Sequence, residues 1–466
     1  MGNQITYICT KTIEWSLVFI IAAVPLIINP AAFDLWYRPK IASLQALLLI
    51  AVMAWLTRCV ISRSRLHWQW TPLTLSILCF AAAAILSTIF SINTNLSFFG
   101  DPLRLEGFLT LATYLLLVFL FRENVQTPEM LARLFFWLLL AATMVASYAL
   151  FQYVFFNPTE HFFYKYFPKG NGVGSTIGNP NFLGKYLVLI IPIVLALCLN
   201  EASRLRLTGV FVSLVLCFAA LIATFTRASW LGLLAGMAVL FYCAQINSLL
   251  KGKGRRLVLI AISVFFVVCL FNAYSPSDGT QTAARSAKPT RGEVIQKATT
   301  SFDINKGRGV ATRLYVWDKT MRLIGERPWF GYGLETFMLV FKQFNKEYTD
   351  IFHDLVIIDR AHNNYLDIAF AIGLPGLAAY LAVLVSFLVY VWRLFKGLQE
   401  KSNKMLVLGI LAGFCGYLIN DLFIFSVVSV SPTFWSLMGL TVAAGRIVQR
   451  EGEAVNAINI KSNIMR

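Results

Sequence analysis

The chain has 466 residues, of which 58% are hydrophobic and 14% charged, with a mean hydropathy of +0.68. No water-soluble fold of that length hides so much apolar surface, so a soluble enzyme is excluded and a polytopic, all-α membrane protein is predicted. The net charge of +17 then reads as a topogenic signal and an attraction to anionic membrane lipids, and no nucleic-acid partner is expected.

Apolar runs of about 18 residues, enough for the ~30 Å hydrocarbon core, recur along nearly the whole chain. Twelve spans are expected, near 14–30, 40–57, 72–90, 107–121, 130–156, 182–199, 207–224, 229–246, 257–274, 362–392, 405–426 and 431–446. The first is not read as a cleaved signal peptide, because Glu14 and Trp15 open it and no small-residue cleavage site precedes Pro30. With the N-terminus inside, cytoplasmic segments hold twenty of the 40 Lys and Arg, and short outer loops hold seven. Positive charge is retained in the cytoplasm, so both termini are expected there.

Three parts follow: residues 1–274 with nine spans, an outer segment over 275–361, and residues 362–466 with three spans and a cytoplasmic tail. Within the outer segment, 275–311 is rich in Ser, Thr, Gly and Lys and reads as a flexible linker. Between 312 and 349, Leu314, Trp317, Met321 and Ile324 recur at helical spacing. Leu334, Phe337, Met338, Phe341 and Phe344 do so again after the ERPWFGYG break. Two amphipathic helices are predicted, lying across the outer mouth of the bundle or on the lipid surface.

The eight cysteines fall in or beside apolar spans without a C-x-x-C pair, so neither a disulfide framework nor a zinc site is indicated. Glycine-rich phosphate loops are absent, as are H-E-x-x-H and Asp-x-Asp, so no nucleotide, metal or other cofactor is expected.

What remains is a set of polar residues that the topology puts on the outer face. Arg227 occupies the short turn between the seventh and eighth spans, and Arg313 opens the first amphipathic helix, where a cation opposes the helix dipole. Of four histidines, His67 is cytoplasmic and His161 and His353 lie in outer loops; His362 alone begins a span, followed by Asn363 and Asn364. The dipole at that helix start should pull its pKa down toward a neutral imidazole able to act as a general base. Asn179, Asn181 and Lys185 stand at the start of the sixth span, and Arg104 and Glu106 in the loop before the fourth. Each has a structural reading too. Arg227 can snorkel to lipid phosphates, Arg313 can be a surface arginine, and His362 can cap its helix. Asn179-Pro180-Asn181 is also a turn and helix start, and Arg104 and Glu106 can pair with each other.

With Arg227 in TRASWLGLLAG, Arg313 in TRLYVWDKTMRLIGERPWFGYGLETF and His362 in HNNYLDIAFAIGLPGLAAYL, the chain resembles the O-antigen ligase and O-antigen polymerase family. The resemblance runs over about residues 90–440. It implies a GT-C-like helical bundle in the bacterial inner membrane with one large periplasmic loop. It also implies an inverting, metal-independent glycosyltransferase. The donor would be a glycan on undecaprenyl diphosphate, and the acceptor the lipid A core for a ligase or a growing glycan for a polymerase. Arg227 and Arg313 match the family's diphosphate-binding arginines, and His362 its base. The pattern HN-x-x-L-x-x-x-x-E-x-G is broken here, because Ala371 stands at the acidic position and Asp367 is the nearest acid. Two guanidinium groups, each able to meet two phosphate oxygens, suit a reaction in which charge grows on a departing diphosphate. A solute or anion transporter and a non-catalytic envelope scaffold are the readings from other classes.

Overall fold

A computed structural model of the chain describes residues 2–29, 36–63, 70–102, 104–155, 172–273, 308–352 and 358–464. Its elements are α1 (Gly2–Ala22), α2 (Tyr37–Ser62), α3 (Pro72–Ile89), the short α4 (Thr94–Phe99), α5 (Phe108–Asn124), α6 (Pro128–Phe155), α7 (Pro180–Asn200), α8 (Arg204–Ala223), α9 (Arg227–Ile246) and α10 (Gly254–Ala273). After the outer segment's α11 (Arg308–Glu326), α12 (Phe337–Phe341) and α13 (Asn345–Phe352) come α14 (Asn364–Gly397), α15 (Lys401–Asn420) and α16 (Ser431–Ile464). Each expected span overlaps a helix. Among the described residues, ten helices are long and apolar enough to cross a membrane. Of the other two, α5 has 17 residues, and α16 opens on Ser431, Pro432, Thr433 and Ser436. The protein is an all-helical, polytopic membrane protein.

The first span differs most from expectation. α1 ends at Ala22, not near residue 30, because Pro25 cannot donate to the helix ladder. The carbonyls freed there are taken by Lys40 of α2, whose ammonium donates to Val24, Pro25 and Ile27 at 3.0, 2.9 and 2.8 Å. An ammonium with three carbonyl partners is tolerable in a buried position where a bare one is not.

Helix α7 is apolar all round and nearly every residue from Phe182 to Leu199 is buried, which marks it as a central helix. α15 lies against both α7 and α9. Close approach is possible because the facing positions are small. A Cβ on Gly232 of α9 would meet the Gly416 carbonyl at 2.7 Å, and one on Gly236 would meet that of Ala412 at 2.6 Å. In hydrocarbon such small-residue seams replace the hydrophobic drive that pairs helices in water.

Between residues 308 and 352, α11 is amphipathic as expected, whereas the second helix is a run of pieces, with one 3-10 turn over Lys342–Phe344 between α12 and α13. The linker up to residue 307 lies outside the described residues. The segment is stitched into the membrane helices at a break in α14. Gly373 takes φ +80°, a left-handed value open to glycine, and Pro375 follows. The ladder bonds lost there are remade from the ERPWFGYG turn: Tyr332 N–H donates to Phe370 O and Gly333 N–H to Ala371 O, both at 2.9 Å, while Leu374 N–H donates to Pro328 O at 2.7 Å. The Ser87 hydroxyl adds a bond to Ala371 O at 2.6 Å. Non-helical backbone at membrane depth is stable only where such partners are supplied.

Candidate active site

A cleft of about 200 Å³ opens at one end of the bundle. Its wall is assembled from five places in the chain: Tyr37 at the start of α2, Arg104 and Glu106 before α5, Asn179, Asn181 and Phe182 at the start of α7, Asp359 and His362 before α14, and Ile424, Phe425 and Val427 between α15 and α16. Four helices therefore begin at its rim. The positive dipole ends of those first turns favour an anion in the space between them.

Local sequence explains how each group is held. Asn179 caps α7, its side chain accepting from Asn181 N–H at 2.9 Å. Asn363 caps α14 in the same way, accepting from Tyr365 and Leu366 N–H at 3.0 and 3.2 Å. The residue before it, His362, takes φ +52°, an uncommon value for a residue with a side chain. Backbone strain of this kind costs about 1–3 kcal/mol and persists where surrounding contacts fix it. Here they do: Trp317 of α11 donates to Ala361 O at 2.9 Å, and Asp367 accepts from Ala361 N–H at 2.8 Å.

Phe425 is the hub of the wall. The His362 ring lies 5.5 Å from its centroid, the Phe182 ring 5.3 Å, and the guanidinium groups of Arg104 and Arg360 lie 5.9 and 5.5 Å away. Arg104 pairs with Asp359, and Arg360 with Glu335. Glu106 does not bond Arg104; its carboxyl accepts from Val428 N–H.

These surroundings set the charge states. Burial, then the positive charges of Arg313, Arg104 and Arg360, hold the His362 imidazole down at about 4, so it is neutral at pH 7. The helix dipole invoked from sequence points the same way, but burial and three guanidinium groups are the causes seen. Glu106 is pushed up to about 8 by burial, against the pull of Arg360, and so keeps its proton at neutral pH. For Arg360, burial would ease the charge off, but Glu335 and Asp367 outweigh it and hold the guanidinium charged.

Of the residues singled out from sequence, Arg104, Asn179, Asn181 and His362 meet in the cleft. Arg313 is not in its lining, yet it is near enough to act on the imidazole. Arg227 is the first residue of α9, exposed, at the end where Gly184 of α7 packs on Thr226 and Ser229; it too is outside the lining. Asn363 is a helix cap. Asn364 is buried behind the cleft, donating to the Asp421 carboxylate and Tyr380 hydroxyl, both at 3.2 Å. Lys185 is fully buried and paired with Asp421, with its ammonium 3.2 Å from Phe425 O and 4.4 Å from the Tyr417 ring centre. His67, His161 and His353 lie outside the described residues.

Tyr37, Asp359, Arg360, Glu335 and Phe425 were not singled out from sequence. The adjacent Asp359-Arg360 just before His362 is the available signal, whereas Phe425 is hidden inside the eleventh expected span. Among the described residues no three His, Cys, Asp or Glu side chains are grouped to hold a metal.

No curated protein matches the chain. Residues 212–381, from within α8 to the middle of α14, match the family model for O-antigen ligase.

Proposed function

We propose that the chain is an inverting, metal-independent glycosyltransferase that moves a glycan from undecaprenyl diphosphate to an acceptor hydroxyl on the periplasmic side of the bacterial inner membrane, with ligation to the lipid A core as its reaction. The observation that carries this reading is a neutral imidazole in a cleft rimmed by four helix N-termini, with Arg104 in its wall and Arg313 and Arg360 close by. Cations and helix N-termini around one space suit a diphosphate, and a neutral imidazole beside it suits proton removal.

In the reaction the acceptor oxygen bonds to the anomeric carbon as the carbon–oxygen bond to the diphosphate breaks on the opposite face. The bonding pair leaves on the diphosphate, where guanidinium groups and helix N-termini meet the growing charge. The acceptor's proton goes to His362. A base with a pKa near 4 is weak, because burial and, after it, the charges of Arg313, Arg104 and Arg360 disfavour the imidazolium. An anionic donor beside those guanidinium groups would relieve their part of the shift and leave the part due to burial. Arg227, at the start of α9, would extend the diphosphate's contacts from the neighbouring helix.

Transfer by the purified protein from a lipid-linked glycan to core acceptors, in the presence of EDTA, tests the reading. Activity that survives chelation and disappears in His362→Ala is expected. Full transfer by His362→Ala would rule out the assigned base, and product from a growing glycan in place of lipid A core would make the enzyme a polymerase.

A further inference from the structure

Behind the cleft, one turn deeper along α14, lies a second cavity of about 100 Å³. Glu106 and Phe425 line both spaces. The inner one adds Glu335, Arg360, Asp367 and Trp435. Asp367 is buried at 8% exposure. One of its carboxylate oxygens accepts from Ala361 N–H, but the other, Oδ2, has no hydrogen-bond partner among the described residues, and neither does Nε of Arg360.

Leaving a buried donor or acceptor unpaired costs about 1–3 kcal/mol, more for a charged group, so two such atoms on residues that line one cavity point to an occupant toward which they can turn. That occupant must offer an O–H to the carboxylate and an acceptor to the guanidinium. The space equals on the order of seven to ten water-sized positions, close to one pyranose ring with its hydroxyls. Around the polar atoms stand the rings of Phe80, Phe425, Phe434 and Trp435. Apolar faces with a few carboxyl oxygens at their edge match a sugar, whose ring face is apolar and whose rim donates hydrogen bonds. Glu335 and Asp367 against Arg360 leave no surplus positive charge for an anionic sugar.

We propose that this inner cavity is the subsite for one neutral sugar ring of the acceptor, with a hydroxyl donating to Asp367 Oδ2 and a ring or hydroxyl oxygen accepting from Arg360 Nε. The proposal rests on the cleft being the place of transfer, since the shared Glu106 and Phe425 are what would present that ring to His362.

Two measurements on the full-length protein test it. In the transfer assay, Asp367→Asn should raise the acceptor KM at least tenfold and leave the donor KM unchanged; an unchanged acceptor KM, or equal rises in both, overturns the subsite. Binding needs no turnover. A neutral core oligosaccharide should quench tryptophan fluorescence in the native protein and not in Trp435→Phe, and this supports the subsite even if no transfer is seen, which would sink the transfer reading alone. Equal quenching in both proteins, no quenching in either, or quenching as strong with a uronic-acid analogue overturns the assignment.

Discussion

Replacing Lys185 by Met tests whether that cation holds the fold or a ligand. Its ammonium is fully buried, with the Asp421 carboxylate, the Phe425 carbonyl and the Tyr417 ring as its surroundings. The substitution removes the positive charge and leaves Asp421, itself fully buried, with Asn364 as its side-chain donor among the described residues. Breaking one side of a buried ion pair costs about 3–5 kcal/mol, because the remaining charge has lost its compensation. At about 1.4 kcal/mol per factor of ten, the folded-to-unfolded ratio should fall by two to nearly four orders of magnitude. Against a total stability of about 5–15 kcal/mol, that is a large fraction. Equilibrium unfolding in mixed micelles with increasing SDS, followed by far-UV circular dichroism, reads it directly. The double variant Lys185→Met/Asp421→Leu removes both charges and should regain most of the loss, since replacing the whole pair by apolar groups is often neutral. A Lys185→Met protein within 1 kcal/mol of native stability but with a raised donor KM would refute the argument and make Lys185 a ligand-binding residue.

Two further outcomes are expected. The pH profile of kcat/KM for the donor should have its acid limb near 4, where His362 gains a proton and ceases to be a base, and its alkaline limb near 8, where Glu106 ionises beside the anionic donor. Glu106→Gln should abolish the alkaline limb and leave the acid one, whereas an acid limb near 6.5 would mean that burial and the arginines do not act on the imidazole. Gly331→Ala should cost about 1–3 kcal/mol in the same micelle assay, because Gly331 has φ +67° and its Cβ would meet the Phe370 and Ala371 carbonyls at 2.5 Å; native stability would show that the turn does not sit on α14.

Membrane helices are legible because hydrocarbon demands one length and one composition, and ten of the twelve expected spans meet that demand in the structure. The α1 boundary was misjudged because apolar residues continue past Pro25 while the backbone cannot. Asn179, Asn181 and His362 stood out because caps and helix starts are local, and local order survives in any fold. Arg360, Glu335 and Asp359 did not, since a loop charge reads as solvated until distant segments enclose it. Lys185 was misleading for the opposite reason. One turn inside a helix start it reads as a headgroup residue, and only the central place of α7, surrounded on all sides, turns it inward. A lone lysine in α7 and a lone aspartate after α15, each in an otherwise apolar stretch, were the legible hint that they meet.

The break in α14 has a consequence for how the molecule can be dissected. Since Tyr332 and Gly333 supply the donors for carbonyls that Gly373 and Pro375 strand, the outer segment cannot be detached like a clip-on module. Cutting it away would take from Phe370 O its Tyr332 donor and leave Ala371 O with Ser87 alone, and the excised peptide would in turn lose the groove that shapes its turn. The ERPWFGYG turn and α14 must therefore mature together, so proteolytic nicking around residues 328–333 should unravel the span as readily as a substitution within it.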